Sequence, residues 1–194
     1  MTRIIAGAAG GTRLEVPGHG TRPTSDRVRE SLFAALESMD VIAGARALDL
    51  YAGSGALGLE ALSRGARSAV LVERGRPAAA VARRNVAAVA KALAASGSDG
   101  ASSAATVQES SVQAFLARAA GPFDLVFTDP PYDLSDVEMT ADLIAVAPLL
   151  SPDAVVVIER AKRSTPPDLA AAGLSPIREK VYGDTALWWA EPAA

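Results

Sequence analysis

The 194-residue chain contains no cysteine. Disulfides, thiolate metal sites, iron–sulfur clusters and any mechanism with a cysteine nucleophile are excluded by that alone. Histidine is nearly absent as well: His19 is the single one, in the Gly/Pro loop "VPGHGTRP". A metal site draws on several His or Cys ligands, so no metal is expected, and His19 reads as a solvated loop residue. No apolar run is long enough to span a bilayer. The start, "MTRIIAGAAGG", lacks the long apolar region of a signal peptide, so a cytoplasmic location is expected.

Net positive charge is also lacking. Lys and Arg total 19 against 22 Asp and Glu, for a formal charge of −3. That is not the balance of a typical nucleic-acid binder. The charge is unevenly spread, however. Residues 1–29 hold Arg3, Arg13, Arg22, Arg27 and Arg29 against only Glu15 and Asp26, and the rest of the chain is acidic. A basic arm on an acidic body can grip phosphates locally. On charge alone, a solvated N-terminal segment is an equal reading.

What is present is an ordinary core-forming composition, 49% hydrophobic, in a length that suggests one domain. "RIIAG" and "TRLEVP" flank a Gly-rich turn and suggest a β-hairpin. "RPTSDRVRESLFAAL" has helix-start signals, and Val28, Leu32, Phe33 and Leu36 follow at helical spacing. Residues 1–40 therefore form a hairpin and helix ahead of a main body, 41–194. In that body "RALDLY", "SAVLVE", "ATVQE", "FDLVFTD" and "AVVVIE" read as strands. They alternate with helices at "GALGLEALSRGA", "RPAAAVARRNVAAVAKAL", "SVQAFLARA" and "SDVEMTADLIAVAPLL", the last opened by a Ser135/Glu138 capping box. Residues 94–104, "AASGSDGASSA", read as a flexible surface insert. Two closing strands surround Gly183-Asp184; with no room for a crossover helix they are antiparallel. The fold class predicted is α/β: a doubly wound, Rossmann-like sheet of about seven strands with an antiparallel edge.

Two motifs carry chemistry. In "DLYAGSGALGLE", Gly53, Gly55 and Gly58 match G-x-G-x-x-G, between a strand and a helix as that fingerprint requires. The pattern alone does not choose a ligand. Asp49 at the strand end would repel a pyrophosphate but suits a cationic sulfonium amino acid. Glu73 ends the second strand, where an acid accepts both ribose hydroxyls. Adenosine with a cationic methionine tail describes S-adenosylmethionine.

The second motif is Asp129-Pro130-Pro131-Tyr132, at the end of the fourth strand. That strand lies beside the first, at the switch point where ligands bind. The acceptor expected is a planar exocyclic amine, whose delocalised lone pair makes it a poor nucleophile. Asp129 accepts one N–H, and the Pro130 carbonyl the other. Consecutive prolines fix that carbonyl's direction. Tyr132 stacks on the base, which is flipped out of a helix or presented in a loop. Asp-Pro-Pro is also good chemistry for a plain strand-ending turn.

These blocks together resemble a known family. "RIIAG", "RPTSDRVRESLF", "LDLYAGSGALGLEALSRGA", "VLVE" and "FDLVFTDPPY", in that order, resemble the RsmD-type 16S rRNA guanine-N2 methyltransferases, a class I S-adenosylmethionine-dependent group. The resemblance implies methylation of one loop guanine of 16S rRNA, presented by the small ribosomal subunit or its assembly intermediate, by an enzyme that is usually monomeric. It implies cofactor contacts from Asp49, Tyr51, Gly53, Ser54, Gly55, Leu57, Glu73, Arg74 and Asp129. Asp129, Pro130, Pro131 and Tyr132 would hold the amine and base. Thr24, Arg27 and Arg29 would sit at the site mouth, with Arg3, Arg13 and Arg22 gripping RNA. The sequence departs from the family at two places. Ser111 stands where an acid often holds the adenine, so backbone groups near Ser111 and Val112 are expected to read it. The hairpin turn "AGAAGGTR" lacks the usual basic or aromatic residues. Two alternatives stay open: an amino-methyltransferase for another base, such as adenine N6 in DNA or other RNA, and a ribosome-assembly module that binds S-adenosylmethionine.

Overall fold

Strand and helix patterns assemble into one seven-stranded sheet in the computed structural model, which describes residues 2–18, 26–97 and 105–193. An N-terminal two-stranded hairpin, β1 (Thr2–Arg3) and β2 (Arg13–Leu14), precedes α1 (Asp26–Ser38). The body runs β3 (Arg46–Leu50), α2 (Ala56–Ser63), β4 (Ser68–Glu73), α3 (Arg76–Ala95), β5 (Ala105–Glu109), α4 (Val112–Leu116), β6 (Phe123–Thr128), α5 (Asp136–Val146) and β7 (Leu150–Ala161). It closes on β8 (Leu174–Tyr182) and β9 (Thr185–Pro192).

The sheet order is β5-β4-β3-β6-β7-β9-β8. The chain winds outward from β3 through β4 to β5, then returns to lay β6 on the other side of β3, all parallel. That reversal opens a crevice at the carboxyl ends of β3 and β6. The antiparallel strand is β9, inserted between β7 and β8, so the outermost strand is β8 rather than the reversed one.

Both faces of the sheet are covered. One core holds Leu32, Phe33, Leu59, Leu71, Phe127 and Trp189; the other holds Leu50, Val126, Leu143, Ile158 and Trp188. Trp188 and Trp189 are neighbours on β9 yet serve opposite faces, as the two-residue period of a strand requires. The first core also contains Ile4, Ala9 and Leu14. The hairpin and α1 thus share a core with the body. Phe33 of α1 meets Phe127 of β6 with ring centres 5.6 Å apart. Such a pair adds about 0.5–1.5 kcal/mol beyond its buried area.

Three elements differ from the sequence reading. The hairpin strands are only two residues each, because the turn between them packs on α2 instead of extending the ladder. The helix expected over 111–119 ends at Leu116, where the Arg118 N–H bonds to the Phe115 carbonyl and tightens the last turn. The strand expected from Ala154 begins at Leu150. Pro152 is a strand breaker by type, but the register to β6 shifts between Phe123 and Leu125, and this bulge absorbs the proline. Pro23, Thr24, His19, Arg22 and most of the insert at 94–104 lie outside the described residues.

Candidate active site

The two motifs meet at the carboxyl edge of the sheet. Leu50 is in register with Val72 on one side and Thr128 on the other. The segments that follow, 51–55, 74–75 and 129–132, therefore leave adjacent strands at the same end. The glycine turn has the geometry its composition demands: Gly53 and Gly55 adopt φ of 55° and 78°, in the left-handed region. At Gly58 an added Cβ would stand 2.4 Å from Leu71 Cδ2 and 3.3 Å from Asp49 Cβ. The third glycine therefore brings α2 close to β3 and β4.

Two carboxylates pin this turn. Asp49 is 2% exposed, and its Oδ2 accepts the Gly58 N–H at 2.9 Å. Burial pushes its carboxyl up to about 7; the Gly58 hydrogen bond opposes the shift and the Glu73 charge adds to it. Glu73 accepts the Gly53 N–H on one oxygen at 3.0 Å and the Gly75 N–H on the other at 2.6 Å. It thus clips the glycine turn to the start of α3. Leu57 is buried in the first turn of α2, Ser54 is half-buried, and Arg74 is exposed beside Glu73.

Asp129 follows β6 directly and is half-buried; Pro130 is buried; Pro131 and Tyr132 are exposed, Tyr132 at 59%. The chain turns back at once, with the Leu134 N–H bonded to the Pro131 carbonyl at 3.0 Å. Arg160 of β7, 6% exposed, braces this turn through the Leu134 carbonyl at 3.2 Å and Asp136 at 3.1 Å. The site loop is therefore held at its base while its aromatic tip stays open.

Several residues expected to face a ligand have other partners. Tyr51, at φ 62°, donates its hydroxyl to Asp142 of α5, and Gln113 donates to the same carboxylate at 2.8 Å. Burial and that bond raise the Tyr51 pKa. Burial likewise raises Asp142. Arg29, expected at the site mouth on RNA, is instead 1% exposed, with Nη2 bonded to the Arg3 carbonyl at 2.6 Å and to Asp26 at 2.9 Å. It joins α1 to the hairpin and offers no surface to RNA, because α1 turns that face onto the core. Arg3, Arg13 and Arg27 are exposed. Ser111 caps α4, accepting the Ala114 N–H at 3.2 Å, and Val112 beside it is buried.

The hairpin turn has a different job from the RNA grip that basic residues there would give. Glu60 of α2, fully buried, accepts the Ile5 and Ala6 N–H groups at 2.7 and 3.0 Å, and Ser63 bonds Ala9 and Ala6. An added Cβ at Gly7 would lie 1.9 Å from the Ser63 carbonyl oxygen. Small residues there allow docking. Sequence reasoning missed Glu60, Asn85 and Asp142. Asn85 and Asp142 left a signal, a single buried polar residue on an otherwise apolar helix stripe, as Asn85 is among Ala79, Ala82, Val89 and Leu93, whereas Glu60 shares its buried face with Ser63.

Comparison with known proteins agrees with this architecture. The model of the family described as "Conserved hypothetical protein 95" matches residues 2–191. Ribosomal RNA small subunit methyltransferase D of Escherichia coli K12 is 39% identical over 185 residues, 95% of this chain and 86% of that protein. The solved structure of yhhF from Escherichia coli superposes with a TM-score of 0.79 at 34% identity, covering 99% of this chain and 98% of that one. A hypothetical protein from Thermus thermophilus gives the same TM-score at 31% identity, over 100% of each chain.

Proposed function

The chain belongs to the conserved hypothetical protein 95 family of RsmD-type proteins, and on that premise we propose that it is an S-adenosylmethionine-dependent methyltransferase acting on the exocyclic N2 of one loop guanine of 16S rRNA, in the small ribosomal subunit or its assembly intermediate. The observation that carries this reading is the meeting of the Glu73-clipped glycine turn with Asp129–Tyr132 at adjacent strand ends. The curated relative's rRNA methyltransferase name supports the substrate class.

The residues suit the cofactor. Each Glu73 oxygen accepts one backbone N–H and keeps accepting capacity for a ribose hydroxyl. The half-buried Ser54 sits in a turn whose shape is fixed by the Gly53 N–H on Glu73 and the Gly55 N–H on the Ala52 carbonyl. Asp49 acts from behind the turn: its ionised form favours a cation, and a bound cation in turn favours ionisation. Backbone groups at Ser111 and Val112 serve the adenine. When bound, S-adenosylmethionine supplies an electrophilic methyl group.

The chain's own work is on the acceptor. Asp129 and the Pro130 carbonyl accept the two amine N–H groups, which draws the nitrogen lone pair out of conjugation with the ring and aims it. The nitrogen gains a methyl and loses one proton, which Asp129 receives. The proline pair keeps the carbonyl from reorienting, so the arrangement is in place before reaction. Tyr132, open at the tip, stacks on the guanine. Arg3, Arg13 and Arg27 face solvent and bind phosphates.

The test is methyl transfer from labelled S-adenosylmethionine to small subunits lacking the modification, followed by nucleoside mass spectrometry. Label in N2-methylguanosine supports the assignment. Label in another base overturns the guanine-N2 step but keeps the amine chemistry. No incorporation, with an active control enzyme, overturns both.

A further inference from the structure

Asn85 of α3 is 2% exposed in a helix whose other buried residues are the apolar Ala79, Val81, Ala82, Val89 and Leu93. Its amide is fully engaged. Oδ1 accepts the Glu15 N–H at 2.8 Å, while Nδ2 donates to the Glu15 carbonyl at 2.9 Å and to the Ser54 carbonyl at 2.8 Å. Both N–H donors are used, and both partners are backbone. Toward Glu15, just past β2, the side chain imitates a neighbouring strand. Toward Ser54 it reaches the middle of the glycine turn, between Gly53 and Gly55. One buried side chain thus joins the N-terminal segment to the turn.

The extension also grips the helix that this turn opens. Glu60 and Ser63 of α2 hold the backbone of Ile5, Ala6 and Ala9. The cofactor turn is therefore anchored at one end through Asn85 and at the far end of α2 through the hairpin. We propose that Asn85 is a positioning residue: it fixes the Ser54 carbonyl so that the turn is shaped for S-adenosylmethionine, and it links occupancy of that turn to the N-terminal segment that faces RNA. This rests on reading residues 49–58 as the cofactor turn. Linkage of this kind is reciprocal, so ordering of the N-terminal segment by RNA tightens the cofactor by the same factor.

The experiment titrates S-adenosylhomocysteine into wild type, Asn85→Asp, Asn85→Ala and Arg84→Ala by calorimetry. Asn85→Asp keeps the volume but sets an acceptor against two carbonyls. Its dissociation constant should rise about tenfold or more, the weight of one buried hydrogen bond. Turnover at saturating S-adenosylmethionine should stay within about threefold, since a loss confined to ground-state binding raises KM and spares kcat. Arg84→Ala is the control. Arg84 pairs with the same Glu15, but through exposed side chains, at 55% and 58%, and does not reach the turn. Its affinity should match wild type within about twofold.

Equal binding by Asn85→Asp and wild type overturns the positioning role and leaves the cofactor reading standing. A loss in Arg84→Ala as large as in Asn85→Asp also overturns it, because general loosening of the segment would then suffice. Wild type that binds no S-adenosylhomocysteine overturns the cofactor reading and this role with it. Should both Asn85 variants fail to fold, hydrogen exchange on wild type decides. Added S-adenosylhomocysteine should slow exchange at residues 13–16 as well as 53–58. Protection confined to 53–58 overturns the linkage.

Discussion

Replacing Asp49 by asparagine isolates the buried carboxyl behind the glycine turn. Asp49 is 2% exposed and accepts the Gly58 N–H at 2.9 Å. Burial raises its pKa to about 7, from an ordinary value near 4. The folded state therefore holds a proton that the unfolded chain has released across that window. Stability contributed by the protonated form is fully present below about pH 4 and is lost as pH rises toward 7, at no more than about 1.4 kcal/mol per pH unit. Over the window the loss is about 4 kcal/mol. Asparagine is neutral throughout, and its Oδ1 still accepts the Gly58 N–H. Denaturant unfolding of both proteins without cofactor, at pH 5 and pH 8, gives the readout. The stability of Asp49→Asn relative to wild type should improve by a few kcal/mol between those two conditions. At pH 8 the same variant should bind S-adenosylmethionine more weakly, because the charge that favours a cation is gone. Parallel pH curves for the two proteins would refute the reasoning, since Asp49 would then ionise alike in both states.

Three further outcomes follow from named contacts. Asp129→Ala should bind S-adenosylhomocysteine within about twofold of wild type and lose at least about 100-fold in kcat, measured by radiolabelled methyl transfer. Gly7→Ala should lower stability by about 2–4 kcal/mol and the melting temperature by several degrees, because its Cβ would meet the Ser63 carbonyl oxygen at 1.9 Å and its φ is +82°. Calorimetric melting checks it; an unchanged melt would mean the hairpin is not docked on α2. Tyr51→Phe removes a donor from the buried Asp142 and should destabilise by about 1–3 kcal/mol in urea unfolding, at an unchanged m-value.

Much of the architecture was legible because local and global signals agree. The glycine turn needs left-handed backbone at Gly53 and Gly55, and the spacing of Gly53, Gly55 and Gly58 after an apolar run marks a strand-to-helix junction. Each crossover helix forces its flanking strands to be parallel. The Gly183-Asp184 turn leaves only the antiparallel option for β8 and β9. What stayed hidden involves partners distant in sequence. Asn85 reads as one polar residue in an alanine-rich helix until Glu15, 70 residues earlier, and Ser54, 31 residues earlier, are folded against it. Arg29 belongs to a run of arginines that charge alone leaves even between a solvated segment and an RNA grip, and that the family resemblance puts at the site mouth. Its helix phase places it beside Leu32, Phe33 and Leu36, on the buried side. Tyr51 sits one residue past the strand, where the left-handed φ sends its ring toward α5.

The most direct test of the central claim is nucleoside mass spectrometry of unmodified small subunits after incubation with this protein and methyl-labelled S-adenosylmethionine. The account predicts label in N2-methylguanosine of 16S rRNA with wild type and none with Asp129→Ala. Label that persists in Asp129→Ala, or that appears only in a base other than guanine, would contradict it.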